Sequence, residues 1–152
     1  MIYYRNDVRG SGIDRRALLG AAKLLLQEVG EGDSSLSILL VHDDAIRRIN
    51  QEFRGKNAPT DVLSFTLHEN GDSAPERLLG DVVISVDTAR RQAAAYDAPL
   101  QRELYRLLIH GILHVIGHDH ERPGERLAME AEERRLARSI GLPWPYEERE
   151  KL

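Results

Sequence analysis

The sequence predicts an α+β domain on a four-stranded sheet, and three observations carry that prediction. Short apolar segments of β type alternate with longer segments of helical period, and Gly, Pro or Asp punctuates the joints between them. The chain has 152 residues, one domain's length and enough to bury a real core, with no repeat, low-complexity stretch or linker.

Taken in order, Met1 to Arg5 is a short strand. Asp14 caps a helix whose Leu18, Leu19, Ala22, Leu25, Leu26 and Val29 form one apolar stripe, ended at Gly30. Leu36 to Val41 is the second strand. Asp43 or Asp44 then caps a shorter helix with Ile46, Ile49 and Phe53 facing inward. Gly55 to Thr60 is a loop, Val62 to Leu67 and Gly80 to Val86 are two more strands, and the polar stretch His68 to Arg77 between them is the mobile loop. Asp87 to Tyr96 and Pro99 to Ile116 are helices, and a last charged helix runs from Arg122 or Pro123 to Ile140. Gly10-Ser11-Gly12 lacks the third Gly and the Lys-Ser/Thr pair of a phosphate loop and reads as a turn; Trp144, between two prolines, reads as a surface anchor for the tail.

The chemistry concentrates in His110-Gly111-Ile112-Leu113-His114-Val115-Ile116-Gly117-His118-Asp119-His120, which holds four of the six histidines. His110 and His114, four apart on a helix, lie one turn above each other with both imidazoles aimed at one point. Gly117 can take the left-handed conformation that ends a helix, which lets His120 reach the same point. The pattern predicts a three-histidine metal site with an open fourth position at the end of the helix and the following turn. A lone histidine here would read as a satisfied core residue, but three at this spacing have little structural use without a metal. His118 is surplus, solvated or lying just beside the site.

A peptidase of the H-E-x-x-H type needs a glutamate beside its first histidine as general base, and this chain has Gly111 there. Peptide hydrolysis by that route is disfavoured. A mid-helix glycine costs about 1 kcal/mol relative to alanine, so something passes close to the helix at Gly111, either packed backbone or bound substrate.

Composition narrows the surroundings. No stretch matches a membrane helix and the first residues lack signal-peptide character, which fits a cytoplasmic protein that does not bind membranes. With no cysteine, a metal must be held by histidine and oxygen. The net charge of −4 will not draw RNA globally, so nucleic-acid binding needs a local basic surface. The mixed signs from Glu121 to Arg138 fit a solvated face.

With these residues in view, the chain resembles the YbeY family of bacterial ribosomal RNA maturation factors, whose signature H-G-x-L-H-x-x-G-x-D-H is met by His110, Gly111, Leu113, His114, Gly117, Asp119 and His120. The resemblance runs from about Leu36 to Tyr146. It takes in Phe53-Arg54-Gly55-Lys56, the stretch Pro59-Thr60-Asp61-Val62-Leu63-Ser64-Phe65, and Leu79-Gly80-Asp81-Val82-Val83-Ile84-Ser85. It implies a mixed sheet with about five helices packed against it. It also implies a metal-dependent endoribonuclease that uses one zinc-like divalent ion per chain and cleaves single-stranded ribosomal RNA precursor. The substrate would be the 3′ end of small-subunit RNA, with a further part in ribosome quality control. Small-subunit ribosomal proteins and assembly GTPases are the partners it implies.

The resemblance further implies that Arg54 faces the metal cleft and is needed for activity. Its guanidinium fork suits a phosphate and the charge that develops on phosphoryl oxygens; Lys56 would add a weaker contact. Arg102 and Arg106 precede His110 on the same helix face and either extend this basic track or form a solvated face. The general base stays open among Asp119, His118, a second water and the substrate 2′-hydroxyl. Two rival readings are a metallopeptidase-like hydrolase and a non-catalytic ribosome assembly factor whose metal is structural, with four protein ligands.

Overall fold

The computed structural model describes residues 1–67, 77–118 and 121–143. Along them run β1 (Ile2–Asn6), α1 (Arg15–Glu28), β2 (Ser35–Val41), α2 (Asp43–Arg54), β3 (Val62–Thr66), β4 (Leu78–Ser85), α3 (Val86–Ala95), α4 (Leu100–Val115) and α5 (Pro123–Ser139). The strands form one sheet in the order β1-β2-β4-β3. β1, β2 and β4 are parallel, and β3 closes the edge antiparallel to β4. This is the expected mixed sheet. The loop expected from His68 to Arg77 lies, except for Arg77, outside the described residues, as does Trp144.

Alternation along the strands gives the sheet two apolar faces. Leu36, Ile38 and Leu40 of β2, with Val82 and Ile84 of β4, join Leu18, Leu25, Leu107, Leu108, Ile112 and Met129 from the helices in the main core. On the opposite face Val41, Leu63 and Val83 meet Ile46 and Ile49 of α2 in a smaller cluster. Helix α4 lies at the centre, packed against α1, α3, α5, β3 and β4. Its Leu104, Leu107, Leu108, Ile109, Ile112 and Leu113 are fully buried, each such side chain worth roughly 1.5–3 kcal/mol over its exposed state. Among the described residues no helix is long and apolar enough to cross a membrane.

What passes close to Gly111 is the sheet. A Cβ there would sit 2.6 Å from Cγ1 of Val82 and 3.4 Å from Cγ2 of Val62, so the glycine lets the α4 backbone press onto β4 and β3. The close neighbours are the side chains of two sheet valines, where packed backbone or substrate was expected.

Three local expectations are corrected. Helix α2 is preceded by His42 at the N-cap position, with no side-chain cap bond from His42 itself, and Asp43 already lies inside the first turn. The Asp87 carboxylate, from α3, accepts from the Asp43 N–H at 2.8 Å instead. The Asp43 carboxylate is engaged elsewhere, accepting from Ser85 Oγ at 2.6 Å, Thr88 Oγ1 at 2.7 Å and Arg91 Nη2 at 2.9 Å. Second, α3 begins at Val86 with Ser85 as its cap, and β4 begins two residues earlier than expected, at Leu78. Third, Phe53, in the last turn of α2, is 64 % exposed, with its ring edge to face with Phe65.

Gly111→Ala is expected to lower stability by roughly 1–2 kcal/mol, since overpacking against Val82 outweighs the gain in helix propensity. Combined with Val82→Ala, it should cost less than the sum of the two single changes in denaturant unfolding. A stabilised Gly111→Ala protein would contradict the close approach. At Asp43, burial pushes the carboxyl pKa up, but the bonds from Ser85, Thr88 and Arg91 outweigh it and hold the value below the ordinary carboxylate range. A pKa depressed by folding contributes stability above the unfolded-state value of about 3.9, lost as pH falls through the lower folded value. Asp43→Asn should therefore cost about 1–3 kcal/mol at neutral pH and show a smaller stability loss on acidification below about pH 4. Parallel urea titrations at pH 7 and pH 3 check this.

Candidate functional site

The site is built at the C-terminal end of α4. His110 and His114 share one helix face there, and their Nε2 atoms stand 3.0 Å apart with the rings edge to face at a 4.5 Å centroid distance. Two nitrogens each about 2.0–2.1 Å from one tetrahedral ion would be about 3.4 Å apart, so the pair is within a few tenths of an ångström of a shared-ligand geometry. An N–H···N bond or a shared cation satisfies these two nitrogens equally.

Gly117 does what its position predicts. With φ at 108° it turns the chain back after α4. The Gly117 N–H donates to the His114 carbonyl at 3.1 Å and the His118 N–H to the Leu113 carbonyl at 2.9 Å, which is the Schellman arrangement. From the sheet side, Thr66 Oγ1 donates to the Val115 carbonyl at 3.1 Å and pins this last turn against β3. His120 and Asp119 lie outside the described residues. Among the described residues no third His or carboxylate completes a metal-binding group with the pair.

A carboxylate that sequence reasoning missed stands behind His110. Glu133 Oε2 of α5 lies 3.7 Å from His110 Nδ1, and Glu133 is only 8 % exposed. A carboxylate on the Nδ1 side favours the tautomer whose Nε2 lone pair points away, toward His114. A signal for it exists in the sequence: the buried residues of α5 are Met129, Glu133, Leu136 and Ala137, a helical stripe in which one member is an acid. His118 stays half-buried beside the turn, where its charge adds to the stronger Arg135 hydrogen bonds in holding the Glu132 carboxyl below its ordinary value.

Arg106 forms neither a basic track nor a solvated face. Its side chain is 12 % exposed and bonds Glu103, donates to Gln92 Oε1 at 3.2 Å and lies 3.7 Å from Asp61 Oδ2. Burial raises the Glu103 pKa, and the Arg106 charge opposes the rise. Asp61 also accepts from Val62 N–H at 2.7 Å and from Gln92 Nε2 at 3.3 Å, so this network ties the start of β3 to α3 and α4.

Arg54 and Lys56 are exposed at the C-terminal end of α2 and in the loop after it. That loop is held by Arg47 Nη1 donating to Asn57 Oδ1 at 2.8 Å and Asn50 Nδ2 donating to the Ala58 carbonyl at 2.8 Å. Helix α2 packs on the sheet face opposite α4, so the structure brings His110 and His114 together but sets Arg54 and Lys56 on an element across the sheet.

The sequence profile of the family described as "Endoribonuclease YbeY" matches residues 12–141. A protein named "Endoribonuclease YbeY" from Anaeromyxobacter sp. (strain Fw109-5) is 50% identical over 134 residues, covering 88% of this chain and 68% of its own length. Its namesake from Bradyrhizobium sp. (strain BTAi1) is 40% identical over 141 residues, covering 90% of this chain and 82% of its own. The solution structure of a Thermotoga maritima protein superposes with a TM-score of 0.64 at 29% identity, covering 92% of this chain and 89% of that one. With the matched segment holding both converging histidines and the glycine turn after them, the chain belongs to the endoribonuclease YbeY family.

Proposed function

We propose that this protein is a metal-dependent endoribonuclease that cleaves single-stranded RNA, with precursor ribosomal RNA, at the 3′ end of the small-subunit RNA, as its substrate. A part in ribosome quality control, beside small-subunit ribosomal proteins and assembly GTPases, belongs to the same proposal. The observation that carries it is the 3.0 Å approach of His110 Nε2 to His114 Nε2, a donor pair suited to one divalent ion.

His110, His114 and His120 would hold the ion, zinc by the all-imidazole donor set. When bound, it supplies Lewis acidity to the scissile phosphate and its attacking water. The rest falls to the chain's own groups. Glu133, with its Oε2 3.7 Å from His110 Nδ1, biases the tautomer and ring direction of His110 electrostatically. Arg54 holds a phosphate of the strand with two parallel N–H donors, and Lys56 adds a point charge beside it. Gly111, with no carboxylate, leaves the peptidase route without its base.

Chelator treatment should abolish cleavage of a single-stranded RNA, and stoichiometric zinc should restore it. His114→Ala is expected to lose both bound metal and cleavage. Arg54→Ala should keep metal content and melting temperature while cleavage falls about 10²- to 10³-fold, with Arg54→Lys recovering part of the rate. Wild-type single-turnover rates in Arg54→Ala would remove Arg54 from the mechanism. Wild-type rates in His114→Ala as well would expose a contaminating nuclease and favour a non-catalytic assembly factor.

Glu133→Gln retains shape but loses the acceptor's charge. Zinc affinity measured by competition with a chelating dye should weaken about 10- to 100-fold. An unchanged affinity would leave Glu133 as a packing residue alone.

A further inference from the structure

The sheet face opposite α4 is only partly covered by α2, and beside the helix it holds an open groove of about 350 Å³. Its sides are apolar: Leu39 and Val83 from the sheet, Phe53 from the last turn of α2 and Phe65 from β3. The two phenyl rings meet edge to face at a 5.3 Å centroid distance, and Phe53 leaves most of its surface to solvent. Two polar side chains interrupt this lining. Ser37 and Asp81 pair across β2 and β4, and Asp81 pairs in turn with Phe65 across β4 and β3. Neither the Ser37 hydroxyl nor the Asp81 carboxylate has a hydrogen-bond or ion-pair partner among the described residues.

Asp81 is the one acidic acceptor in an otherwise apolar lining, so the groove suits a ligand with an apolar body and an N–H edge. Its volume is at the lower end of small-molecule sites, suited to one planar ring system rather than a helix. The carboxylate repels phosphate, yet the residue that follows Phe53 in the chain is a cation, Arg54, exposed at the end of α2. A ligand with a flat, N–H-bearing ring inside and a phosphate outside satisfies both. That is a nucleotide. Guanine alone among the RNA bases presents two adjacent donors, N1–H and the 2-amino group, which match the two oxygens of one carboxylate, while adenine and cytosine offer a single amino group. Single-stranded RNA is commonly read in this way, by stacking on aromatic rings and hydrogen bonding along the Watson–Crick edge.

We infer that this groove is a guanine-binding subsite, in which Asp81 accepts from N1–H and the 2-amino group, the base packs against Phe53 and Phe65, and Arg54 contacts the nucleotide's phosphate. For the source of its occupant the inference rests on the RNA-cleaving reading above. It adds a base preference to that reading.

Calorimetric titration of the zinc-loaded protein with each of the four nucleoside 5′-monophosphates tests it. Guanosine monophosphate should bind at least about ten-fold tighter than the other three. Asp81→Asn, isosteric and at a half-exposed position, should erase that preference with no change in melting temperature. Phe53→Ala should weaken guanosine and adenosine monophosphates alike. Equal binding of all four nucleotides, or an Asp81→Asn protein that keeps the preference, overturns the subsite. So does a leucyl-arginyl-leucine amide that binds in an Asp81-dependent way and resists displacement by guanosine monophosphate, which would assign the groove to a protein partner. Because these titrations do not depend on cleavage, the two readings fail separately. Guanosine preference without RNA cleavage upholds the subsite and removes the enzyme. Cleavage without any guanosine preference does the reverse.

Discussion

The contact on which the rest of the structure depends is the approach of α4 to the sheet at Gly111. With a side chain there the helix would stand off from Val82 and Val62, and its rotation about its own axis would be free to relax. Without one, the rotation is fixed. Residues on an α-helix are spaced by about 100°, so His110 lies about 100° and His114 about 60° round from the sheet-facing direction, both on the same side. That side is where α5 packs, and it is why an α5 carboxylate, Glu133, can stand behind His110 while Nε2 remains directed at His114. The same glycine that removes the peptidase base thus sets the direction of the two imidazoles.

Much of this was legible because it is local. The four-residue spacing of the histidines, the glycine that ends the helix, the Asp14 cap and the period-2 strands each involve residues close in sequence, and each forms as expected. What was not legible depends on partners far along the chain. Asp43 looked like a helix cap, but Ser85, Thr88 and Arg91 claim its carboxylate and Asp87 caps the helix in its place. Arg106 looked like part of a basic or solvated face until α3 and the start of β3 closed over it. Phe53 kept the spacing of a core residue, and nothing in that spacing says where the sheet beneath it ends. His120, expected from the spacing to complete the histidine set, lies outside the described residues.

Electrostatics divide the molecule in a similar way. The chain carries a net charge of −4, and several of its cations are committed to internal pairs: Arg77 to Glu31, Arg91 to Asp43, Arg106 to Glu103 and Asp61, Arg135 to Glu28 and Glu132. Such pairs organise the fold without projecting a field. Attraction for a polyanion must therefore come from exposed cations left out of them, and Arg54 and Lys56 at the end of α2 have no ion pair among the described residues. A protein of this balance would bind RNA through a few placed contacts, with a correspondingly shallow dependence on salt.

Strand β3 is the element through which the two faces act together. Its even-numbered residues serve the histidine side: Val62 lies over Gly111 and Thr66 holds the last carbonyl of α4. Its odd-numbered residues serve the other side, Leu63 in the smaller core and Phe65 against Phe53 beneath the end of α2. The Asp61 bonds fix where the strand begins, and the antiparallel pairing with β4 fixes its register. A slip of one residue would exchange the two sets, burying Thr66 or Ser64 where Phe65 now sits and breaking the pin on α4. The edge strand, short as it is, thereby holds the histidine helix and the arginine helix, on opposite faces of the sheet, in one fixed relation.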